Sequence, residues 1–223
     1  MSITLKTTSR PEDPAEFIVL SILNQLKMGK RVLFFVTGGS SIAVGVRVAE
    51  YLRNRPLQNF TKNLTIMLTD ERYGPLDHPD SNWYQLIQKG FSLAGATLIP
   101  TLIGEESSAT VEKFNITLGR EMKKANYKIG LFGVGTDGHT AGILPGSGAV
   151  EAQALAYGYK TESFERITIT PKVIEKLNEA VIWAQGEDKW KIIESLQKEE
   201  IEIIKQPAQI LKKIPLLTIF YGK

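Results

Sequence analysis

The sequence predicts an α/β fold: a doubly wound, mostly parallel sheet flanked by helices, with a possible small subdomain. Three observations carry that expectation. Short continuous apolar runs such as Arg31-Val-Leu-Phe-Phe-Val36 suit strands buried on both faces. Helical patterns alternate with these runs along the chain. The length of 223 residues, 43% of them hydrophobic and 23% charged, suffices for one large domain over residues 1–223 with a sizeable core.

The elements follow in order. Asp13-Pro-Ala-Glu16 reads as a helix start, with Asp13 as cap, Pro14 in the first helical position and Glu16 as the capping-box acid. That helix should end near Met28-Gly29. The strand 31–36 breaks into Thr37-Gly-Gly-Ser-Ser41, and a helical pattern runs from Ile42 to Arg53. Leu64–Leu68 is the next strand, ending in Thr69-Asp-Glu-Arg72. Ser81 to Phe91 reads as helix, Thr97–Ile99 as a short strand and Ser107 to Ala125 as a long helix. A strand over 128–134 leads into the loop Gly133–Ser147. Arg166–Thr170 and Ala180–Ala184 are further strands. A helix over Glu187–Gln197 and a stretch over Pro207–Lys212 precede a closing strand, Leu216–Tyr221. The segment Gly146–Arg166 is the least regular and reads as a surface excursion.

Composition narrows the function classes. A net charge of +3, with Lys and Arg interspersed among Asp and Glu, is too mild for nucleic acid but suits a small anionic substrate. The alternating Glu and Lys of 189–213 read as a solvated helix face. The absence of cysteine excludes disulfides, thiolate metal sites and a cysteine nucleophile. No apolar run approaches the roughly 20 residues that span a bilayer, and no signal pattern opens the chain. The expectation is a cytoplasmic protein with no membrane partner, favoured as a monomer.

Ligands of open α/β sheets bind beyond the carboxyl ends of the strands. Three strand ends here carry unusual polar clusters. The Gly-Gly-Ser-Ser turn puts backbone N–H groups and the hydroxyls of Ser40 and Ser41 at a helix N-terminus, as an anion site requires; a plain capped turn is the alternative. In Thr69-Asp-Glu-Arg72, Asp70 and Glu71 could meet sugar hydroxyls and Arg72 an anion or oxyanion. The alternative is a salt-bridged corner with Ser81 capping the next helix. In Gly133-Val-Gly-Thr-Asp-Gly-His139, an acid beside an imidazole can fix its tautomer and leave the other nitrogen as a base; otherwise His139 is incidental. The loop also matches G-x-G-x-x-G, but the long helix of a dinucleotide site is not expected after it. Arg166 and Lys189 are basic residues that could face a phosphate or solvent. His78 is expected at the surface.

The ordered set TGGSS (37–41), TDERYGPLDHPDSN (69–82), GVGTDGHTAGILPGS (133–147), RITIT (166–170) and GEDK (186–189) resembles the 6-phosphogluconolactonase family, which is related to glucosamine-6-phosphate deaminase. The resemblance implies a modified Rossmann-like sheet. It also implies hydrolysis of 6-phospho-D-glucono-1,5-lactone, a step of the oxidative pentose phosphate pathway, with neither cofactor nor metal. By matched motif, His139 would be the general base, Asp137 would orient it, and Arg72 would stabilise the oxyanion or hold substrate. Gly39, Ser40 and Ser41 would cradle the phosphate, Arg166 and Lys189 would supply counter-charge, and Asp70 and Asn82 would belong to the substrate loop.

The deaminase relatives have a carboxylate five residues after the histidine, where this chain has Leu144, which cannot transfer a proton. Asp-Glu-Arg in place of Asp-Glu-Tyr points the same way. The chain departs from the lactonase pattern in Ser41-Ile42 for Thr-Pro, in Gly142 and Leu144 for Ser and Phe, and in an end, LLTIFYGK, without Asp-x-x-Ala. Those departures leave a sugar-phosphate binder without turnover as the rival; ligand stabilisation without hydrolysis would mark it.

Overall fold

Alternate residues of a strand face opposite sides of its sheet, so a strand covered on both sides must be apolar throughout. Val32–Val36 meets that condition, with every residue buried. Leu33 and Phe35 pack into one core; Val32, Phe34 and Val36 pack into the other. The computed structural model describes residues 2–55 and 61–223 and builds its main sheet around this strand.

The strands are β1 (Ser2–Thr7), β2 (Val32–Val36), β3 (Leu64–Leu68), β4 (Asp70–Arg72), β5 (Thr97–Ile99), β6 (Tyr127–Phe132), β7 (Ala156–Lys160), β8 (Glu165–Ile169), β9 (Glu179–Gln185) and β10 (Leu216–Gly222). The helices are α1 (Glu12–Lys27), α2 (Ile42–Arg53), α3 (Asn82–Gln88), α4 (Ser107–Lys124), the single turn α5 (Pro171–Ile174) and α6 (Trp190–Lys198).

A seven-stranded sheet runs in the order β1-β10-β9-β6-β2-β3-β5, every pair parallel. Its winding reverses between β2 and β6. From β2 the chain builds outward through β3 and β5; from β6 it builds the other way through β9 and β10. Such a reversal opens a crevice at the carboxyl ends of the two central strands. Helices α1, α2 and α3 cover one face through residues such as Ile18, Val48 and Leu86. The other face is covered by α4, α6 and a three-stranded antiparallel sheet, β4-β8-β7, through Phe114, Leu118, Ile193 and Ile167.

Several expectations need correction. Helix α1 begins at Glu12, behind Pro11, and Asp13 does not cap it: the Asp13 carboxylate accepts the Thr8 hydroxyl instead. Pro14 still falls in the first turn, where a missing N–H leaves no helical bond unmade. The runs at 70–72 and 166–170 do not join the parallel sheet; they pair with each other, antiparallel. The excursion at 146–166 folds back as β7, and it buries Ala149 and Ala156 completely or nearly so. Residues 207–213 form a 3₁₀ helix that is buried through Lys212, so the solvated face ends earlier than expected. Lys212 tolerates burial because its ammonium donates to the Glu199 carbonyl at 2.7 Å and to Glu200 at 2.6 Å. Strand β1 carried no recognised signal. No helix among the described residues is long and apolar enough to cross a membrane.

Candidate active site

A cavity of about 230 Å³ opens at the reversal point. The turn after β2 supplies Thr37, Gly38, Gly39 and Ser40; β4 supplies Asp70 and Arg72; the start of α3 supplies Asn82. Gly133 to Gly135 and His139 come from the loop after β6, Arg166 from β8, and Lys189 from the turn after β9. The separate strand ends marked in the sequence thus meet at one place.

The loop after β6 is short and tied back on itself. Val134 and Thr140 form a lone antiparallel bridge, and the Gly135 N–H donates to the His139 carbonyl at 2.9 Å. No long helix follows Gly138; the chain continues through turns to β7. Asp137 Oδ1 lies 2.6 Å from His139 Nδ1 and accepts the His139 backbone N–H at 3.1 Å. An ionised carboxylate only accepts, so Nδ1 must carry the proton and Nε2 is left as the acceptor. Burial alone would raise the Asp137 carboxyl, but the N–H and imidazole of His139 outweigh it and hold the carboxyl below its ordinary value. Position 135 has to be glycine: a Cβ there would sit 2.1 Å from His139 Nδ1 and 2.3 Å from Asp137 Oδ1. Asp137 itself stands behind the imidazole and off the cavity wall.

Strand β4 sorts Asp70, Glu71 and Arg72 by alternation. Asp70 and Arg72 face the cavity. Glu71 points away and is completely buried. Its Oε1 accepts the backbone N–H groups of Arg72 and Asn82 at 2.7 and 2.6 Å. Its Oε2 accepts the Ser81 hydroxyl at 2.9 Å and the Trp83 N–H at 3.0 Å. Burial pushes the Glu71 carboxyl up, against the pull of these four donors. Glu71 therefore holds the start of α3 and cannot reach a sugar hydroxyl, contrary to expectation. Ser81 also caps α3, accepting the Tyr84 N–H at 3.1 Å. The structural corner is thus present, built from hydrogen bonds to Glu71 in place of a salt bridge. Asp70 and Arg72, on the alternate positions, reach the cavity wall.

Asp70 accepts the Thr69 hydroxyl at 2.9 Å and lies 3.9 Å from Arg166 Nη1. Asn82 donates to the Asp70 carbonyl at 3.0 Å and packs against Gly38, where a Cβ would sit 1.9 Å from its Oδ1. That close approach makes glycine at 38 a requirement of the turn. Gly39 takes a positive φ of 61°, and Ser40 joins it on the wall. Ser41 does not line the cavity. The 3₁₀ turn Gly39–Ser41 rolls its side chain inward, where Oγ is buried without a partner. His78 is not a bystander either: its Nε2 lies 2.9 Å from the Arg72 carbonyl and braces that strand. In the sequence Thr37 is marked only as the start of the turn, with no role given, and Phe164 goes unremarked. Thr37 is the last polar residue before the turn, a usable signal; Phe164 reaches the arginines only through tertiary folding.

An α/β sheet with convergent polar groups at its reversal point defines a small-molecule enzyme of the doubly wound class. The chain belongs to the family described as glucosamine-6-phosphate isomerases/6-phosphogluconolactonase, whose sequence model matches residues 9–217. It is 28% identical over 192 residues to a 6-phosphogluconolactonase of Borreliella burgdorferi, covering 80% of each chain. A probable 6-phosphogluconolactonase of Dictyostelium discoideum is 25% identical over 231 residues, covering 98% of this chain and 96% of that one. Among solved structures, a 6-phosphogluconolactonase from Shewanella baltica superposes with a TM-score of 0.82 at 19% identity, covering 100% of this chain and 98% of that one.

Proposed function

We propose that the protein hydrolyses 6-phospho-D-glucono-1,5-lactone to 6-phosphogluconate, a step of the oxidative pentose phosphate pathway. The single observation that carries the chemistry is the imidazole of His139, oriented by Asp137 and facing a cavity with three cationic side chains. Similarity to the two curated relatives supplies the substrate.

In this reading His139 Nε2 takes a proton from water as the water oxygen attacks the lactone carbonyl. The tetrahedral intermediate then collapses, the bond from carbonyl carbon to ring oxygen breaks, and the proton passes from Nε2 to the departing oxygen. Asp137 keeps the ring in the required tautomer and stabilises it while protonated. Arg72, Arg166 and Lys189 supply positive charge that holds the phosphate. Gly39 and Ser40 present the helix N-terminus to the substrate, and Asp70 and Asn82 shape the wall beside it. Nothing in this scheme requires a metal or a covalent nucleophile. Leu144, where a deaminase relay would need an acid, rests its N–H on the Tyr159 hydroxyl at 3.3 Å and is off the cavity wall. The protein would work alone, as a cytoplasmic monomer.

The test is to follow acid release from freshly generated lactone. Wild type should exceed spontaneous hydrolysis, and His139→Ala should lose about 100-fold or more of kcat. Full activity in His139→Ala would remove the imidazole from the mechanism. Binding of the product by wild type without any acceleration would leave the sugar-phosphate binder instead.

A further inference from the structure

We propose that Phe164 is a positioning residue for the cavity's two arginines, holding both guanidiniums on one aromatic ring so that they receive a single doubly charged group. The inference rests on the phosphosugar reading of the cavity and adds how its phosphate end is organised.

Arg72 and Arg166 are direct partners in the antiparallel register of β4 and β8. Like charges placed opposite each other across a strand pair destabilise it. The Asp70 carboxylate offsets one of the two charges, that of Arg166, and leaves Arg72 without an acidic partner. Arg72 Nη1 donates to the Asp80 carbonyl at 3.1 Å, a neutral acceptor. Arg166 Nη1 stands 3.9 Å from Asp70 Oδ2, beyond hydrogen-bond range. The Nε of each arginine is buried with no acceptor. Two arginines that both line one cavity and both keep a buried Nε without an acceptor break the ordinary rules of satisfaction together, which marks a site built for binding.

The ring of Phe164 is the feature common to both. It lies 4.9 Å from the Arg72 guanidinium carbon and 5.7 Å from that of Arg166. A ring face carries negative potential and attracts cations, and guanidinium planes stack on it well. The ring also sits on an anchored tip. Thr161 donates its N–H and its hydroxyl to the Phe164 carbonyl, each at 2.8 Å, and accepts the Phe164 N–H at 3.0 Å. The β7–β8 turn thus fixes Phe164, and Phe164 fixes two planes that would otherwise splay apart. An anion arriving between them meets donors already oriented, so less side-chain entropy is lost on binding.

Such a residue should act on substrate capture rather than on the chemical step. Phe164→Ala is expected to raise KM about tenfold, the sum of two modest cation–π contacts, and to leave kcat within about twofold. Phe164→Tyr keeps the ring and should stay within about twofold of wild type in KM. Phe164→Leu keeps bulk but not the ring, and should resemble alanine. Because the tyrosine and leucine variants preserve volume, their comparison stands even where alanine fails to fold. Titration calorimetry with inorganic phosphate should show the same ranking in Kd. A KM for Phe164→Ala within twofold of wild type, or a leucine variant equal to phenylalanine, overturns the proposal. Should wild type bind phosphate but hydrolyse no lactone, the functional reading fails alone, and the phosphate ranking still decides the role of Phe164.

Discussion

The two sheets of this molecule use polar residues in opposite ways. In the large sheet the central strand β2 is apolar along its length, and the polar groups of the cavity begin where its strands stop: Thr37–Ser40 after β2, Gly133–His139 after β6, Lys189 after β9. In the small sheet the polar groups lie on the strands themselves, Asp70 and Arg72 on β4 and Arg166 on β8. A parallel strand buried on both faces leaves no position for a charge except its end. An antiparallel strand with one face on the core and one on a cavity can alternate. The large sheet therefore places the base, and the small sheet places paired charge opposite it. The comparison predicts that damage to each sheet shows up in a different measurement.

The largest effect should come from Glu71→Ala in the small sheet. Removing a fully buried carboxylate strands three backbone N–H groups and the Ser81 hydroxyl. The expected cost is about 3 kcal/mol or more of folding stability, read as a lower urea midpoint at constant slope. A cost below about 1 kcal/mol would mean that α3 does not depend on this anchor.

Gly135→Ala should do the reverse. Its loop lies beyond the end of β6, and the added carbon collides with the His139–Asp137 pair and not with the core. Displacing a catalytic base by an ångström costs about 100-fold in rate, so kcat should fall by about that factor while the urea midpoint barely moves. An equal loss in both measurements would blur the distinction between the sheets.

That distinction also decides how much of the molecule was legible in its sequence. The large sheet could be read in every strand but β1. Burial on both faces writes short apolar runs bounded by turn residues, whereas β1 lies at the edge and alternates with polar residues. Of the small sheet only β8 could be read, from the β-branched run at 166–170, and its place beside β4 could not. Asp70-Glu71-Arg72 is polar, so it looks like loop, and β7 reads Ala-Tyr-Gly-Tyr-Lys with a glycine inside it. Gly158 is there because a Cβ would meet Val111 of α4 at 2.4 Å, a contact invisible before folding. The site was legible wherever its residues sit on strand ends. Reading 70–72 as a strand would have placed Glu71 on the opposite face from its neighbours by period alone. Phe164 had no such signal: the ring matters because two arginines that lie 94 residues apart, 166 minus 72, become cross-strand partners.

The smallest effect concerns pH and two acids, Asp137 behind the imidazole and Glu71 beneath the small sheet. Asp137 has a folded value held below its ordinary one, near 3.9 when unfolded, by the N–H and imidazole of His139 against the opposing effect of burial. Its contribution to stability is therefore present above that unfolded value and is lost as pH falls through the lowered folded value. Glu71 has the opposite sign, because burial raises it: its contribution is full below its unfolded value and declines as pH rises through the raised one. With 49% of its side chain exposed, Asp137 is well screened by solvent, so Asp137→Asn should lower stability at pH 6 by less than about 1 kcal/mol. Asparagine does not titrate, so the gap between wild type and variant should narrow as the pH falls below the unfolded value and through the lowered folded one. Urea midpoints of the two proteins across that range would show it. A gap that widens toward acid would mean that Asp137 resists ionisation in the folded protein, which would leave the His139 tautomer without the fixed acceptor that the loop provides.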